Sequence, residues 1–231
     1  MPNNEIMETE YRPFKLRDIF FGFLIFAWSQ VALVGIIYGT HCINEQNKTS
    51  AAICIASMVI GNLLIIAITY QTIHRSIRLK EDQAPPIRLP EIGILIALLI
   101  AMIFAVIVTH YLIQINNTSN QSAVSNLFTN APILAVFHII IIAPVCEEMA
   151  FRYFLLKPGK LWWMRYILSG LLFLSIHLSL HDSPLSIFAY LVPVCFLHGT
   201  RLLFNSVRYS MLLHMMYNAI VVVTMYVELK Y

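Results

Sequence analysis

Charge is what this chain has least of: 12% of its 231 residues are Asp, Glu, Lys or Arg and 59% are hydrophobic, where soluble domains carry about 25% and about 45–50%. That scarcity excludes an ordinary soluble globular protein and predicts an all-α polytopic membrane protein. Cysteine is also sparse, and Cys42, Cys54, Cys146 and Cys195 show no CxxC spacing, so no disulfide framework is expected. No loop is long enough for a soluble domain, and no internal repeat or low-complexity tract is present. The opening segment lacks the form of a signal peptide. Glu5, Glu8 and Glu10 precede a first apolar run too long for a signal core and without a small-residue cleavage site, so that run is expected to be retained.

What is there is apolar sequence in long pieces. A bilayer-crossing helix needs about 20 such residues, and candidates fall at 18–38, 52–70, 91–113, 132–156, 161–180, 184–204 and 210–228. Seven transmembrane helices are therefore expected, with 184–204 the candidate for a broken or re-entrant segment because it carries Pro184 and Pro193. The organisation predicted is an arm over 1–17, scaffold helices over 18–131 and a functional core over 132–228. Basic residues sort by side. Arg12, Lys15 and Arg17, then Arg75, Arg78, Lys80 and Arg88, then Arg152, Lys157, Lys160 and Arg165, then Arg201 and Arg208 share one side; only Lys48 and Lys230 fall on the other. Cytoplasmic loops are enriched in Lys and Arg, so the N-terminus is expected inside a multi-pass protein of a bacterial cell membrane. The net charge of +3 is then a topology signal, and no nucleic-acid partner is expected. Residues 114–131 are polar and uncharged and are expected to form a mobile loop; Asn117 opens a glycosylation-type triplet that matters only in a secretory setting. Trp162 and Trp163, beside Lys160 and Arg165, suit an interfacial anchor.

Polar residues inside the apolar runs concentrate after residue 140. An ionised side chain at mid-bilayer costs ~2.5–3.5 kcal/mol on insertion scales, and such residues usually mark a reaction site, an ion path or a buried pair. Glu147, Glu148 and Arg152 fall within six positions. Glu148 and Arg152 are at i, i+4 and can pair, which leaves Glu147 about 100° around the helix, free to face a cavity. Pro144 is expected to kink the helix one turn earlier. Phe173 and His177, then His214 and Asn218, repeat the i, i+4 spacing on later spans. Glu147, His177, His214 and Asn218 can together bind a divalent metal such as Zn2+ or orient a water, with a carboxylate as general base. Among the other histidines, His138 falls on the face opposite Glu147, His110 and His181 near an interface, and His41 and His74 in loops; His198, before Gly199, stays a candidate. Cys146 has no activating partner and is expected to be inert.

The ordered trio Glu-Glu-x-x-x-Arg (Glu147, Glu148, Arg152), Phe-x-x-x-His (Phe173, His177) and His-x-x-x-Asn (His214, Asn218), all in apolar spans between about 132 and 220, resembles the CPBP family of intramembrane proteases. That family includes the CAAX prenyl endopeptidases and the bacteriocin-processing or immunity (Abi) proteins. The stretch Gly199–Ser210 also resembles the turn region before the family's last motif, with fewer glycines. The resemblance implies an intramembrane (metallo)endopeptidase acting on a membrane-associated or peptide substrate. It implies that Glu147 activates the attacking water, that Glu148 and Arg152 hold the site, and that His177, His214 and Asn218 bind a metal or stabilise the oxyanion; both versions stay open. In a bacterium it points to peptide maturation or bacteriocin self-immunity.

Two other classes compete. One is an immunity protein that binds a bacteriocin without hydrolysis, and the other a small transporter using Glu147 and Glu148 as a proton or cation relay. The apolar first three spans offer the latter little of a path. One geometric conflict stands in the expectation: straight spans place His177 near the outer end of its helix and His214 near the inner end of its own. Nothing in the chain speaks to oligomeric state.

Overall fold

The computed structural model describes residues 16–44, 48–78, 87–114, 118–156 and 162–230, which form eight helices and no strand. These are α1 (Leu16–Asn44), α2 (Lys48–Arg78), α3 (Leu89–Ile113) and α4 (Ser119–Asn130). Then follow α5 (Pro132–Leu155), α6 (Trp162–His177), α7 (Ile187–Phe204) behind a 3-10 turn at Pro184–Ser186, and α8 (Val207–Lys230). Five stretches are long and apolar enough to cross a membrane: Thr49–Arg75, Leu89–Ile113, Pro132–Leu155, Pro184–Phe204 and Val207–Glu228. The other two expected spans are also helical. α1 has a shorter apolar stretch, Ile19–Val31, and α6, with 16 residues, reaches about 24 Å at 1.5 Å per residue.

Three expectations are corrected. The supposed loop at 114–131 contains α4, because Thr118 caps its start: the Thr118 hydroxyl accepts from the Gln121 amide at 3.2 Å, and Gln121 Oε1 accepts from the Thr118 amide at 2.8 Å, a capping box. His41 and His74 lie in α1 and α2, not in loops, since both helices continue past their apolar windows into polar ends. The segment 184–204 is not broken: Pro184 sits in the opening 3-10 turn, where no amide hydrogen is needed, and Pro193 lies inside a helix that continues to Phe204. Residues 1–15 of the N-terminal arm, Lys80, Asn117, Lys157, Lys160 and the side chain of Cys42 lie outside the described residues.

The irregular helix is α5. It is also the central one, with 61% of its apolar window buried against 17–39% in the other four. Two stretches, His138–Ile142 and Glu148–Leu155, widen to π-helix, and the Ala143 amide bonds the His138 carbonyl five residues back. Pro144 explains the first widening: its ring would strike the carbonyl four residues earlier in a regular helix, and an added residue per turn relieves this without breaking the helix. The expected kink at Pro144 is thus realised as a π turn.

Close approaches fix α1 and α2 around this centre. A Cβ on Gly22 of α1 would stand 3.2 Å from the Ala150 carbonyl oxygen of α5, and Gly61 of α2 packs against the Trp28 ring with no room for one. Small residues let helix backbones approach in a solvent where apolar burial gives little drive. Ile65 of α2 joins Ile142, Val145, Cys146 and Met149 of α5 in one cluster, while Phe23, Val31, Ile100, Phe104 and Leu112 face outward, as lipid contact requires.

Candidate active site

Glu147 ends the regular stretch of α5 and Glu148 begins the second π stretch. Their side chains part as expected. Glu148, fully buried, lies 3.3 Å from Arg152 Nη1 and 2.9 Å from His214 Nδ1, both through Oε1. Arg152, also fully buried, stacks its guanidinium 4.5 Å from the Phe173 ring centroid. The Nη1 contact is close enough for an ion pair but not aligned as a hydrogen bond, and none of the three guanidinium nitrogens has a hydrogen-bonded partner. Glu147 turns the other way. Its Oε2 stands 3.8 Å from His177 Nε2 and 3.8 Å from His214 Nε2, beyond the roughly 3.2 Å limit of a good hydrogen bond.

Proton positions at the two histidines follow from their other contacts. His177 Nδ1 is 2.8 Å from the Phe173 carbonyl; a carbonyl only accepts, so Nδ1 carries hydrogen and donates. His214 Nδ1 likewise donates to the Glu148 carboxylate. Each ring is therefore oriented through Nδ1 and presents Nε2 to Glu147. An Nε2 in that state either offers a lone pair to a metal or takes a proton, becoming an imidazolium that faces a carboxylate.

The donor set suits zinc in kind: two imidazoles tied at Nδ1 and one carboxylate. In spacing it is wide. Bonds of about 2.0–2.1 Å in a tetrahedral sphere put neighbouring ligand atoms roughly 3.3 Å apart, against 3.8 Å here, and among the described residues no group of three or more His, Cys, Asp or Glu is placed to hold a metal ion.

The helices meet at this depth for reasons of register. Ser169 of α6 donates to the Phe151 carbonyl of α5 at 2.6 Å, pegging the two antiparallel helices together. From that peg, Glu147 is four residues away along α5 and His177 eight along α6, an offset of about 6 Å. Side chains lean toward their own helix N-terminus, so on antiparallel helices Glu147 and His177 lean toward each other and close it. On α8, Asn218 Nδ2 donates to the Ile139 carbonyl at 2.8 Å, in the first π stretch, so Asn218 braces α5 about two turns before Glu147 with one of its two amide hydrogens.

Five of the six predicted residues thus gather in one linked cluster, in which His214 meets both Glu147 and Glu148, His177 meets Glu147 and Arg152 meets Glu148; Asn218, one turn beyond His214 on α8, contacts α5 at Ile139 instead. The other histidines separate from it. His138 faces α2, lining a small cavity with Asn62 and Met58; His110 and His181 lie at helix and loop ends. His198 is buried behind the site, its Nδ1 2.9 Å from the Val194 carbonyl and its Nε2 3.1 Å from Ser169 Oγ, so it supports the peg and does not touch Glu147. Cys146 is buried and free. Sequence reasoning missed Ser169 and Tyr190. The ring of Tyr190 lies 5.0 Å from that of His177. The four-residue spacing of Ser169 to Phe173 to His177 was the available signal for the first.

Residues 129–220 match the family model described as type II CAAX prenyl endopeptidase Rce1-like, so the chain carries a domain of the CPBP (Abi) family, a family of intramembrane proteases. No curated protein and no solved structure matches the chain.

Proposed function

We propose that this protein is an intramembrane endopeptidase in which Glu147 activates the attacking water. The observation that carries the reading is the placement of Glu147 Oε2 at 3.8 Å from two Nε2 atoms, too far for direct hydrogen bonds and near enough for one water lying beside them to bond the carboxylate and an imidazole. Glu148 is the wrong carboxylate for the task, because Arg152 and His214 already engage it. Glu147 takes a proton from the water, the hydroxide adds to the scissile carbonyl carbon, and the negative charge that develops on oxygen is met by protonated His177 Nε2 and by the second amide hydrogen of Asn218. The proton held by Glu147 then passes to the leaving amine. The substrate class we assign is a membrane-associated peptide, cleaved in maturation or bacteriocin self-protection, with the N-terminus cytoplasmic in a bacterial membrane.

A zinc ion held by Glu147, His177 and His214 is the competing version, favoured by the tying of both Nδ1 atoms; a bound zinc would polarise the scissile carbonyl, and it needs the ligand atoms to close by about half an ångström. Cleavage of membrane-tethered peptides by wild type and by Glu147→Gln, each with and without chelator, tests both versions. Loss in the mutant with chelator resistance supports the glutamate–water reading, chelator sensitivity selects zinc, and full activity in Glu147→Gln overturns both.

A further inference from the structure

We propose that Tyr190 is a positioning residue for His177, anchored by the start of α4; the proposal rests on reading His177 as part of a protease site. Helices α6 and α7 run antiparallel in a regular register. Ser169 meets His198 at 3.1 Å, Phe173 packs with Val194, and His177 meets Tyr190 with ring centroids 5.0 Å apart at 41°. Each rung is one helical turn from the last on both helices, so the register set behind the site delivers Tyr190 to the catalytic imidazole.

The His177 ring has a single hydrogen bond of its own, from Nδ1 to the Phe173 carbonyl, and one such bond leaves the ring free to swing about it. Two aromatic neighbours oppose that swing: Phe173, stacked at 4.2 Å and 20°, and Tyr190. Phe173 shares the helix of His177. Tyr190 comes from another element and is itself held at its far end, where its hydroxyl bonds Thr118 Oγ1 at 2.6 Å and accepts from Asn120 Nδ2 at 3.3 Å. The residue between those two, Ser119, donates through its amide and its hydroxyl to Asp182 Oδ1, both at 2.8 Å, and Asp182 Oδ2 accepts from the Ser179 amide at 2.8 Å. Thr118–Asn120 therefore grips His177 twice, through Tyr190 and through the loop that leaves the histidine. No hydrogen bond of the Tyr190 hydroxyl reaches Glu147 or His214, so its influence travels through the His177 ring.

The test uses the full chain with a cleaved membrane-tethered peptide, comparing Tyr190→Phe, Thr118→Val, Thr118→Ser and Gln121→Ala with wild type and Glu147→Gln. Misplacing a reacting group by about 1 Å can cost ~10²-fold, so Tyr190→Phe and Thr118→Val should lower kcat roughly ten- to a hundredfold with KM within about twofold, and shift the kcat–pH profile. Thr118→Ser should restore the rate, and Gln121→Ala, which loosens Thr118 at the α4 cap but leaves its hydroxyl in place, should lower it by less than Thr118→Val. In 15N-histidine NMR, the His177 Nδ1–H signal should broaden in Tyr190→Phe. Wild-type kcat, pH profile and His177 signal in folded Tyr190→Phe would overturn the proposal. If wild type cleaves nothing, the protease reading fails separately, and the His177 signal alone decides: broadening supports positioning and an unchanged signal refutes it.

Discussion

Replacing Arg152 by Met asks whether the two buried charges behind the site hold each other there. At 3.3 Å from Glu148 and an effective dielectric of about 20, the gross attraction is on the order of 5 kcal/mol. Removing one member of a buried pair costs ~3–5 kcal/mol, because the survivor stays buried and uncompensated, and losing the guanidinium over Phe173 adds ~0.5–2 kcal/mol. Arg152→Met should therefore destabilise by at least about 3 kcal/mol. Glu148→Gln, which strands the guanidinium, should cost a similar amount. The double variant strands neither charge, and its loss should fall short of the summed singles by ~2 kcal/mol or more. Unfolding in detergent can be followed with a thiol-reactive dye on Cys146, which is buried and free, after Cys42, Cys54 and Cys195 are changed to Ser. Single losses that add to within ~0.5 kcal/mol would refute the pairing and mean that each charge is separately hydrated inside the bundle.

Ser169→Ala removes the donor to the Phe151 carbonyl and the partner of His198 Nε2; leaving buried polar groups unmet should cost ~1–3 kcal/mol in the same assay, and peptide cleavage should fall as the α5–α6 register loosens. Gly61→Ala drives a methyl into the Trp28 ring; overpacking of this kind costs ~1–3 kcal/mol, and Trp28→Leu in the same chain should recover most of it. The Asp182 carboxyl is held below its ordinary range by the amides of Ser179 and Ser119 and the Ser119 hydroxyl. A depressed carboxyl contributes stability that is whole above its unfolded value and is lost as pH falls through the lower folded value. Amide exchange at residues 118–121, corrected for intrinsic rates, should therefore quicken on acidification through that window in wild type and be insensitive to it in Asp182→Asn.

The fold was legible where physics acts one residue at a time. Apolar runs fail to dissolve in water wherever they sit, so seven helices followed from hydropathy alone. What hydropathy hid was structure made by polar residues. α4 is mostly polar, with only Ala123, Val124, Leu127 and Phe128 apolar, yet Thr118 and Gln121 spell a capping box, and the polar ends of α1 and α2 carry His41 and His74 on within the helix because backbone hydrogen bonding does not stop where lipid does. The prolines misled for a related reason. Pro193 promised a break in 184–204 but is accommodated within its helix, whereas Pro144 altered its helix by widening it, so the same residue type gave two outcomes that its presence in an apolar run does not distinguish.

The candidate site was legible as a set of residues and illegible as a place. Charges in an apolar run announced Glu147, Glu148 and Arg152, and i, i+4 spacing assigned Glu148 to Arg152. Yet counting rise along straight spans separated His177 from His214, which the bundle brings to the same carboxylate oxygen at 3.8 Å each. Counting assumed that all helices start level. They are instead indexed by single contacts: Ser169 on the Phe151 carbonyl sets α6 against α5, and Asn218 on the Ile139 carbonyl sets α8 against it. Both acceptors lie in the π stretches, where the shift from four- to five-residue bonding leaves a carbonyl open to a neighbouring helix. Widening α5 therefore gives the other helices carbonyls to index on, and the same turns that look like defects in the central helix set the depth at which its carboxylates meet the imidazoles.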